Sequence, residues 1–585
     1  MAKKHTNREI ADILRAMAVC YEMEGVSFKP AAYERAADSL ETLGEDATAI
    51  LKRDGQKALI AIPGIGKAIA GHIEDLMNRG DFKEYKTCRA KMPEETLELI
   101  SIRDLGPKKV KVLYDKLKVE TIKDLERAAR AGKVSALPGF GEKSEEKIMK
   151  GIAMLKKAGE RRILADVLPL TRELERKLKS TPGVKHAVTA GSVRRRKETV
   201  GDIDMVITTS QPKKAMDTFA EFDEVRKVLK RGRRNLTALL KNGMTCDLLI
   251  VPDDVFGAAL QHFTGSKDHN VVIRKMAGEK GLKLNEYGLW RGKRRLAART
   301  EKNVYRALDL PYIEPELRTA SGEVEAAMKD KLPDIITYGS VRGDLQTQTD
   351  WSDGAASIED MARAAIKLGL EYIAITDHTK TLVMAGGLDE RKLAKQAKEI
   401  ARVNAKLAEE GLDFMILKGA EVNVMKNGRL DISDTALAKL DFVGVAIHSS
   451  FRLSREEQTA RMIRAMKNPH VDAFFHPTGR IIHRRDPYDI DIEKILKTAK
   501  TTGTAMEIDA YPNRSDLRDV HVRMAVKRGV KLVIDTDAHH PDHLEFLDLG
   551  VAIARRGWTK KRDVLNTRKV DSLLKWLKTA KSKRR

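Results

Sequence analysis

Hydrophobic residues change their spacing along this chain of 585 residues in a way that divides it into regions. Up to about residue 155 the apolar positions follow helical spacing, as in Ile69, Ile73 and Leu76, and glycine turns interrupt them. From about 156 to 250, strand-like and helix-like segments alternate. From about 335 onward, short apolar runs alternate with amphipathic helices. The pattern therefore predicts a helical region followed by regions that mix strands with helices.

The apolar runs of the last region are typical of buried parallel strands, and they lie at residues 372–375, 442–447, 473–475 and 531–534. Polar side chains follow at the ends of these runs: Asp377, His378, His448, His476, Asp537 and His539. Barrel enzymes carry their sites at the carboxyl ends of parallel strands. We therefore predict a β/α barrel-like domain. Since nine of the fourteen histidines lie between residues 344 and 543, we also predict a metal site within it.

Three glycine turns of the helical region share one arrangement of helix, hairpin and helix. Residues 62–67 read I-P-G-I-G-K, residues 137–143 read L-P-G-F-G-E-K, and residues 105–110 are a looser copy, L-G-P-K-K-V. Glycine lets the backbone approach a phosphate closely, and the following helix offers free N–H groups at its positive end. A single turn of this kind is most often an ordinary corner, but the repetition favours binding to the DNA backbone. The candidate contacts are Gly64, Gly66, Lys67, Gly106, Gly139 and Gly141.

Charge and cysteine usage limit the partners and the compartment. The formal net charge of +24 predicts a polyanionic partner, most simply nucleic acid. No apolar run approaches membrane-spanning length and no signal peptide opens the chain, so we expect no membrane partner and a cytoplasmic location. Cys20, Cys88 and Cys246 form no Cys-x-x-Cys pair, which predicts separate buried thiols in a reducing cytosol rather than a disulfide framework or a zinc finger.

The most informative motif is G-S-V-R-R-R-K-E-T-V-G-D-I-D at residues 191–204. Asp202 and Asp204 begin a predicted strand, and side chains two residues apart on a strand face the same way. A third acid, Asp247, begins the next apolar strand, and Gly191 and Ser192 precede a run of arginines suited to phosphate. An isolated Asp-x-Asp is usually a solvated strand edge or turn. The combination instead predicts phosphoryl or nucleotidyl transfer with two Mg²⁺ ions.

These residues resemble the nucleotidyltransferase palm of the family X DNA polymerases, and H-F-T-G-S at 262–266 and N-E-Y-G-L at 285–289 resemble that family's thumb motifs. The resemblance implies that Asp202 and Asp204 hold both metals and that Asp247 holds the catalytic metal beside the primer 3′-hydroxyl. It implies nucleotide contacts by Arg162, Gly191, Ser192, Arg195, Gly201, Phe263, Gly265, Asn270 and Arg274. The vertebrate repair members have a tyrosine where this chain has His262, which leaves sugar discrimination open.

The resemblance extends to the amino terminus, where residues 29–33 resemble the phosphate-binding helix of a lyase domain. Lyase chemistry needs a lysine amine that forms a Schiff base. The position of that lysine in lyase-active relatives is His72 in this chain, and Lys67 lies nearby in a hairpin. The substitution argues against abasic-site lyase activity.

In the carboxy-terminal region, D-L-Q-T-Q-T-D-W-S-D-G at 344–354 resembles the opening motif of the PHP (polymerase and histidinol phosphatase) domain. By this resemblance a trinuclear cluster of Mn²⁺ or Zn²⁺ would be held by Asp353, His378, Glu421, His448, His476, Asp537 and His539, with Glu421 bridging. The family has two histidines where this chain has Gln346 and Gln348, so the ion served by that pair should bind poorly or be lost. The alternatives are a weakened Mn²⁺-dependent 3′-to-5′ exonuclease and a structural remnant.

The resemblance implies a multidomain protein of α and α/β class. The expected parts are a helix-hairpin-helix domain (1–85), a fingers-like helical region (86–155), a palm (156–250), a thumb (251–318), a linker (319–334), a PHP distorted β/α barrel (335–575) and a solvated basic tail (576–585). We expect a monomeric repair DNA polymerase acting on gapped or primer-template DNA with dNTPs. The alternatives are a DNA-end binding or bridging protein with a vestigial PHP domain and a small-molecule phosphatase.

Overall fold

The computed structural model describes residues 7–42, 47–62, 64–91, 99, 102, 105–159, 161–579 and 583–584. Pro63 of the first glycine hairpin, Glu160 beside Arg161, and most of the basic end fall outside this part of the chain. Among the described helices, none combines the length and the apolar character needed to cross a bilayer.

The amino-terminal region is helical and divides into two units with separate hydrophobic cores. Leu14 and Ile73 are buried in the core of the first unit, and Leu113 and Ile148 are buried in the core of the second. The described helices are α1 (Asn7–Met23), α2 (Lys29–Thr42), α3 (Ala47–Asp54), α4 (Gln56–Ile60), α5 (Lys67–Arg79), α6 (Lys83–Lys91), α7 (Pro107–Leu117), α8 (Ile122–Arg130) and α9 (Glu142–Gly159). The prediction of a helical amino-terminal region is therefore confirmed.

The palm is built on a five-stranded sheet with the order β2-β4-β7-β6-β5, in which β4 and β7 run parallel and the other neighbours antiparallel. Its elements are β1 (Arg162–Ile163), α10 (Leu164–Lys179), β2 (Val184–Thr189), α11 (Gly191–Arg194), β3 (Thr199–Val200), β4 (Asp202–Thr209), α12 (Pro212–Ala220), β5 (Val225–Arg231), β6 (Asn235–Leu240) and β7 (Thr245–Val251). Ile203, Met205 and Cys246 are buried in the core behind the sheet. The residues that alternate with them, including the candidate acids, therefore face the opposite side.

The thumb follows the palm and includes most of the segment that the sequence predicted as a linker. Its elements are α13 (Phe256–Thr264), α14 (Lys267–Glu279), β8 (Lys283–Asn285), β9 (Gly288–Arg291), β10 (Arg294–Ala297), α15 (Glu301–Arg306) and α16 (Glu323–Met328). Val324 and Ala327 of α16 are buried in the thumb core, and Glu323 bonds His269 Nδ1 at 2.7 Å. Residues 319–334 are therefore not a free polar linker. The short helix α16 docks this segment on the thumb through its two buried apolar residues.

The carboxy-terminal region is a parallel barrel of seven strands in chain order, β11 to β17. The strands are β11 (Gly343–Thr347), β12 (Tyr372–Ile375), β13 (Met415–Asn423), β14 (Phe442–Ala446), β15 (Ala473–Phe474), β16 (Ala505–Asp509) and β17 (Leu532–Asp535). The helices are α17 (Ile358–Lys367), α18 (Glu390–Glu409), α19 (Asp434–Leu437), α20 (Arg455–Met466), α21 (Ile492–Thr502), α22 (Asp519–Arg528), α23 (Leu547–Arg556) and α24 (Val570–Lys578). A parallel bridge between Thr347 and Ala538 nearly closes the barrel. The predicted barrel-like fold is therefore confirmed.

The cysteine prediction is wrong for two of the three residues. Cys20 on α1 and Cys88 on α6 form a disulfide, with their Cα atoms 6.1 Å apart, and Cys246 is a free buried thiol. The two partners are 68 residues apart in sequence, so nothing in their spacing pointed to the pairing.

The basic end is also more ordered than a solvated tail. The helix α24 extends into residues 576–578, and Arg584 is buried, with Nη1 donating to Asp472 Oδ1 at 2.6 Å. A guanidinium paired with a carboxylate can be buried where an unpaired one cannot. The tail prediction is therefore wrong for Arg584.

Buried polar contacts fix the barrel against the palm and the thumb. Arg555 Nε donates to Glu316 Oε1 at 2.8 Å, and the same carboxylate oxygen accepts from the Tyr338 hydroxyl at 2.8 Å. Arg480 of the barrel pairs with Glu198 of the palm at 2.5 Å. The barrel therefore adjoins the loop that follows the predicted phosphate-binding arginines.

Candidate active sites

The three candidate acids lie on two neighbouring strands of the palm. The parallel register of β4 and β7 sets Asp204 directly opposite Asp247, and Asp202 precedes Asp204 on the same face. Burial, together with the charges of Asp202 and Asp247, raises the pKa of Asp204 to about 7. Divalent cations would relieve this repulsion, so the donor set fits metal binding.

The backbone of the phosphate-binding motif packs directly on these acids. Gly191 begins α11 with φ 57°, and a Cβ atom there would lie 1.9 Å from Asp204 Oδ2. The preceding Ala190 amide donates to the Asp204 carbonyl at 2.7 Å. Only glycine therefore lets the helix approach the carboxylate this closely.

A Gly191→Ala variant is expected to fold but to lower nucleotide incorporation by about 10²-fold, because the added methyl group must displace Asp204. Single-turnover incorporation of one dNTP measures the loss, and thermal unfolding checks the fold. Gly278→Ala is the matched control, since a Cβ atom there meets nothing within 4 Å. Equal rates for Gly191→Ala and the wild type would show that this close contact is unimportant.

Two polar groups beside the acids are buried and, within the described chain, lack a hydrogen-bond partner: Ser192 Oγ and Arg195 Nε. Another nitrogen of Arg195, Nη1, donates to the Thr264 carbonyl and ties this loop to the thumb. Burial lowers the pKa of Arg195, because the acidic side chains near it do not fully offset the cost of burying its charge. Unsatisfied donors of this kind fit an anionic ligand such as a phosphate.

The neighbouring Arg194 is engaged differently. Its guanidinium binds Glu301 through two hydrogen bonds of 2.9 and 2.6 Å, and Arg318 binds the same carboxylate at 2.7 Å. Although burial opposes it, Arg318 and Arg194 lower the pKa of Glu301 to about 2. Arg194 therefore joins the palm to the thumb.

The thumb residues near the site form one hydrogen-bonded group. Arg274 Nη2 donates to His262 Nδ1 at 2.8 Å, and Asn270 Nδ2 donates to the His262 carbonyl at 2.7 Å. Burial lowers the pKa of His262, so its ring is neutral and can accept from the arginine. The group therefore ties Arg274 and Asn270 to His262.

A cavity of ≈ 720 Å³ joins these parts. It is lined by most of the predicted site residues, namely Gly191, Ser192, Arg195, Asp202, Asp204, Phe263, Gly265, Asn270 and Arg274. Gly201 and Asp247 are not among its lining residues, and neither is Arg162, whose Nη2 donates to the Asn242 carbonyl at 3.2 Å. The neighbouring Arg161 does line the cavity.

Sequence reasoning assigned no role to eight further lining residues: Lys197, Glu198, Thr199, Lys267, Val271, Arg518, Asp519 and Arg556. The last three belong to the barrel, more than 300 residues along the chain from the phosphate motif, and no local pattern indicated them. The cavity therefore includes side chains from palm, thumb and barrel.

Most glycines of the predicted DNA-binding hairpins have free space where a side chain would be. A Cβ atom at Gly66, Gly106, Gly139 or Gly141 would meet nothing within 4 Å, and α5 and α7 begin directly after Gly66 and Gly106. Gly64 differs, because a Cβ atom there would lie 3.3 Å from Ser39 Oγ. These exposed turns, each leading into a helix, fit close approach of a phosphate backbone.

His72, at the expected lyase position, is held inside the first helical unit. Its Nδ1 lies 2.9 Å from the Tyr33 hydroxyl and its ring stacks on Phe82 with centroids 4.3 Å apart. Burial lowers its pKa. The imidazole therefore packs inside this unit, and it offers no primary amine that could form a Schiff base.

In the barrel, a first group of possible ligands gathers at the strand ends. Asp353 Oδ1 lies 3.6 Å from His378 Nε2 and 3.7 Å from His539 Nε2. One ligand atom from each residue lies within 4.8 Å of the others. This spacing and the mixed nitrogen and oxygen donors fit a transition-metal ion.

A second group forms around the buried Glu421. Its Oε1 lies 3.0 Å from His448 Nε2 and 2.9 Å from His476 Nε2, and its Oε2 lies 3.4 Å from His378 Nδ1. His378 belongs to both groups. Glu421 therefore lies between three histidines, and its role as a bridging ligand stays a prediction.

The two glutamines contact the same carboxylate. Gln346 Nε2 and Gln348 Nε2 donate to Glu421 Oε2 at 3.2 and 2.8 Å. Their carbonyl oxygens are buried and, in the described chain, have no hydrogen-bond partner. The amides thus supply donors to Glu421 where the family pattern has metal-binding nitrogens.

Asp537 is directed partly away from these groups, toward an arginine that sequence reasoning missed. Arg514 Nε lies 3.3 Å from Asp537 Oδ2 and 3.4 Å from Asp509 Oδ2.

Of the histidines outside the motifs, His543 is buried against Tyr511 and Phe546, a packing role.

Four protein-family models match this chain. They are a helix-hairpin-helix domain at residues 5–82, a SAM-like helix-hairpin-helix tandem at 96–153, a DNA polymerase beta thumb at 259–319 and a PHP domain at 344–509. With the palm geometry, these matches define a nucleotidyltransferase-type DNA polymerase that carries a PHP domain.

Comparison with whole proteins narrows this class. The chain is 37% identical over 577 residues to the DNA polymerase/3′-5′ exonuclease PolX of Bacillus subtilis, covering 98% of this chain and 99% of that protein. It therefore belongs to the family X DNA polymerases with a C-terminal PHP domain, the PolX type. Rat DNA polymerase lambda is 24% identical over 343 residues, 53% of this chain and 56% of that protein. A probable phosphatase of Thermoanaerobacter sp. is 33% identical over 251 residues, 41% of this chain and 96% of that protein.

Proposed function

We propose that this polymerase fills short gaps in duplex DNA by nucleotidyl transfer with two Mg²⁺ ions. The observation that carries the proposal is the juxtaposition of Asp202, Asp204 and Asp247 with two buried polar atoms that lack a partner among the described residues, Ser192 Oγ and Arg195 Nε. Carboxylates that repel one another beside donors that lack an acceptor fit a metal-bound triphosphate better than any purely structural role.

The proposed roles follow the resemblance to the family X polymerases, and the positions of the side chains on β4 and β7 support them. Asp202 and Asp204 would hold both ions, and Asp247, across the strand pair, would hold the one beside the primer 3′-hydroxyl. When bound, Mg²⁺ neutralises the charge that develops during displacement at the α-phosphate. Ser192 and Arg195 bind the triphosphate through their free donors.

The thumb contributes the sugar and base side of the proposed pocket. Phe263 and Gly265 line the cavity and would pack against the sugar. Asn270 and Arg274, which His262 holds in place, would lie against the nascent base pair. A neutral histidine that accepts from Arg274 offers a different surface from the tyrosine of the vertebrate members, which bears on discrimination against ribonucleotides.

Duplex DNA on both sides of a short gap is the proposed substrate. The exposed hairpin glycines on two separate helical units support backbone contacts at more than one point along the duplex. The formal net charge of +24 supports the same partner.

We also propose a second activity, Mn²⁺- or Zn²⁺-dependent phosphodiester hydrolysis at DNA 3′ ends in the barrel. The two overlapping groups around His378 support it, because their nitrogen and oxygen donors fit transition metals. The amides of Gln346 and Gln348, which occupy Glu421 Oε2, support a weakened form of this activity. Asp537, His476 and His539 complete the proposed donor set.

Incorporation of a single dNTP into a one-nucleotide gap tests the main proposal. We expect Mg²⁺-dependent addition of the complementary nucleotide, faster on the gapped duplex than on an open template with the same primer. Binding without incorporation would instead indicate a DNA-end binding protein. Hydrolysis of small phosphate esters without incorporation would indicate a phosphatase.

A further inference from the structure

The cavity beside the palm acids is closed on one side by the barrel. Arg518, Asp519 and Arg556 line it together with Asp202 and Asp204. Arg518 is the residue that directly precedes α22, so the start of that helix fixes its backbone. The nucleotide pocket is thus shared between the polymerase and PHP parts of the chain.

Ion pairs hold this part of the barrel on the loop that follows Arg195. Asp519 Oδ2 accepts from Arg556 Nε at 2.9 Å and lies 3.9 Å from Lys197 Nζ. Arg556 Nη1 donates to the Arg196 carbonyl. With the pair between Arg480 and Glu198 at 2.5 Å, these contacts fix the backbone of Arg518 relative to the proposed triphosphate site.

Arg518 itself is exposed to the cavity, and in the described part of the chain no hydrogen bond or ion pair of its guanidinium is recorded. The nearby acids are already engaged, Glu198 by Arg480 and Asp519 by Arg556. Arg518 therefore differs from the other barrel residues of the cavity, because its charge is available for a ligand.

The charges of the side chains that line the cavity also favour a phosphate ligand. Seven basic side chains line it against four acidic ones: Arg161, Arg195, Lys197, Lys267, Arg274, Arg518 and Arg556 against Glu198, Asp202, Asp204 and Asp519. Two of the acids belong to the proposed metal site, and the other two are neutralised by the barrel arginines described above. The excess of positive charge fits a polyphosphate at the end of the cavity that the barrel closes.

We propose that Arg518 of the PHP domain binds the terminal phosphates of the incoming dNTP, and of pyrophosphate in the reverse reaction. The proposal rests on the proposed polymerase function and adds a nucleotide-binding residue from the other catalytic domain. The bidentate guanidinium suits a phosphate group, and the anchored backbone lowers the entropic cost of ordering it.

The test uses full-length Arg518→Ala, with Arg518→Lys as a partial rescue and Arg429→Ala as a control. Arg429 is an exposed arginine of the same domain and does not line the cavity. We expect Arg518→Ala to raise the KM for dNTP and the KM for pyrophosphate about tenfold, with little change in the affinity for gapped DNA. Equilibrium binding of a non-hydrolysable dNTP analogue to the complex with dideoxy-terminated primer should weaken by the same factor.

Three results would overturn the proposal. In an active wild-type background, unchanged KM values for dNTP and pyrophosphate would show that Arg518 does not contact the phosphates. Weakened DNA binding alone would make it a DNA-backbone contact. A wild-type protein without incorporation would refute the proposed function itself, and the assignment of Arg518 would fall with it.

Discussion

An Asp204→Asn variant is expected to lose Mg²⁺-dependent primer extension by about 10³-fold or more while binding gapped DNA almost as tightly as the wild-type protein. Asp204 is the central acid of the proposed site, opposite Asp247 in register and packed against Gly191. Asparagine keeps the volume beside Gly191 but removes the charge that would hold both ions. Single-turnover extension measures the first quantity and fluorescence anisotropy of labelled DNA measures the second.

The same variant should be more stable than the wild type when no metal is present. The folded-state pKa of Asp204, about 7, lies above its ordinary value of 3.8. The cost of ionising it is therefore absent below about pH 4, grows as the pH rises and is complete above about pH 7. At pH 8 the stability difference should be on the order of a few kcal/mol, and Mg²⁺ should remove or reverse it.

Asp217→Asn is the control for both measurements, because Asp217 pairs with Arg231 at the palm surface, away from the cavity. It should leave the extension rate unchanged and should not produce a stability gain that depends on pH between 4 and 8. Normal extension by Asp204→Asn would refute the two-metal assignment, and an unchanged stability would refute the account of its repulsion.

The palm site could be predicted from sequence because its geometry is almost entirely local. An Asp-x-Asp at the start of a strand places two acids on one face whatever the rest of the fold does. Asp247 was found because it begins the next apolar strand, and parallel pairing of β4 with β7 sets it opposite Asp204. The structure places Arg162 against the Asn242 carbonyl and its neighbour Arg161 at the cavity, a difference that no local pattern indicates.

What could not be predicted depends on contacts between distant parts of the chain. The pairing of Cys20 with Cys88 and the docking of α16 on the thumb follow from tertiary packing and not from local periodicity. The contribution of Arg518 to the nucleotide cavity depends on how the barrel docks on the palm. Local rules fix which face a residue occupies, but they do not fix which domain comes to lie opposite it.

The barrel site, too, could be predicted where it depends on local patterns and not where it depends on contacts between distant residues. Its histidines were predicted because parallel strands bring their carboxyl ends together, and His378, Glu421 and His448 do gather there. The sequence also identified Gln346 and Gln348 as departures from the family pattern. It did not indicate that both amides would donate to one oxygen of Glu421, nor that Arg514 would lie between Asp509 and Asp537.

The second large effect concerns His378, which is shared by both groups of possible metal ligands. In an Asp204→Asn background, which removes the polymerase reaction, we expect Mn²⁺-dependent shortening of a labelled 3′ end. Adding His378→Ala should reduce this shortening by at least about 10²-fold, because one side chain is lost from two sites at once. Adding His470→Ala is the control, since His470 belongs to neither group. Equal shortening with and without His378 would show that the nuclease activity arises elsewhere.

The glutamines provide the complementary change. If Gln346 and Gln348 weaken the centre by replacing nitrogen ligands with amides that bond to Glu421, then a Gln346→His, Gln348→His double variant should bind additional Mn²⁺ per chain and shorten 3′ ends about tenfold faster. Mass spectrometry of the metal content gives the first readout independently of activity. Unchanged metal content would mean that Arg514, paired with Asp537 beside the centre, limits metal binding instead of the glutamines. Added metal without faster shortening would mean that the barrel lacks a productive path for a DNA end.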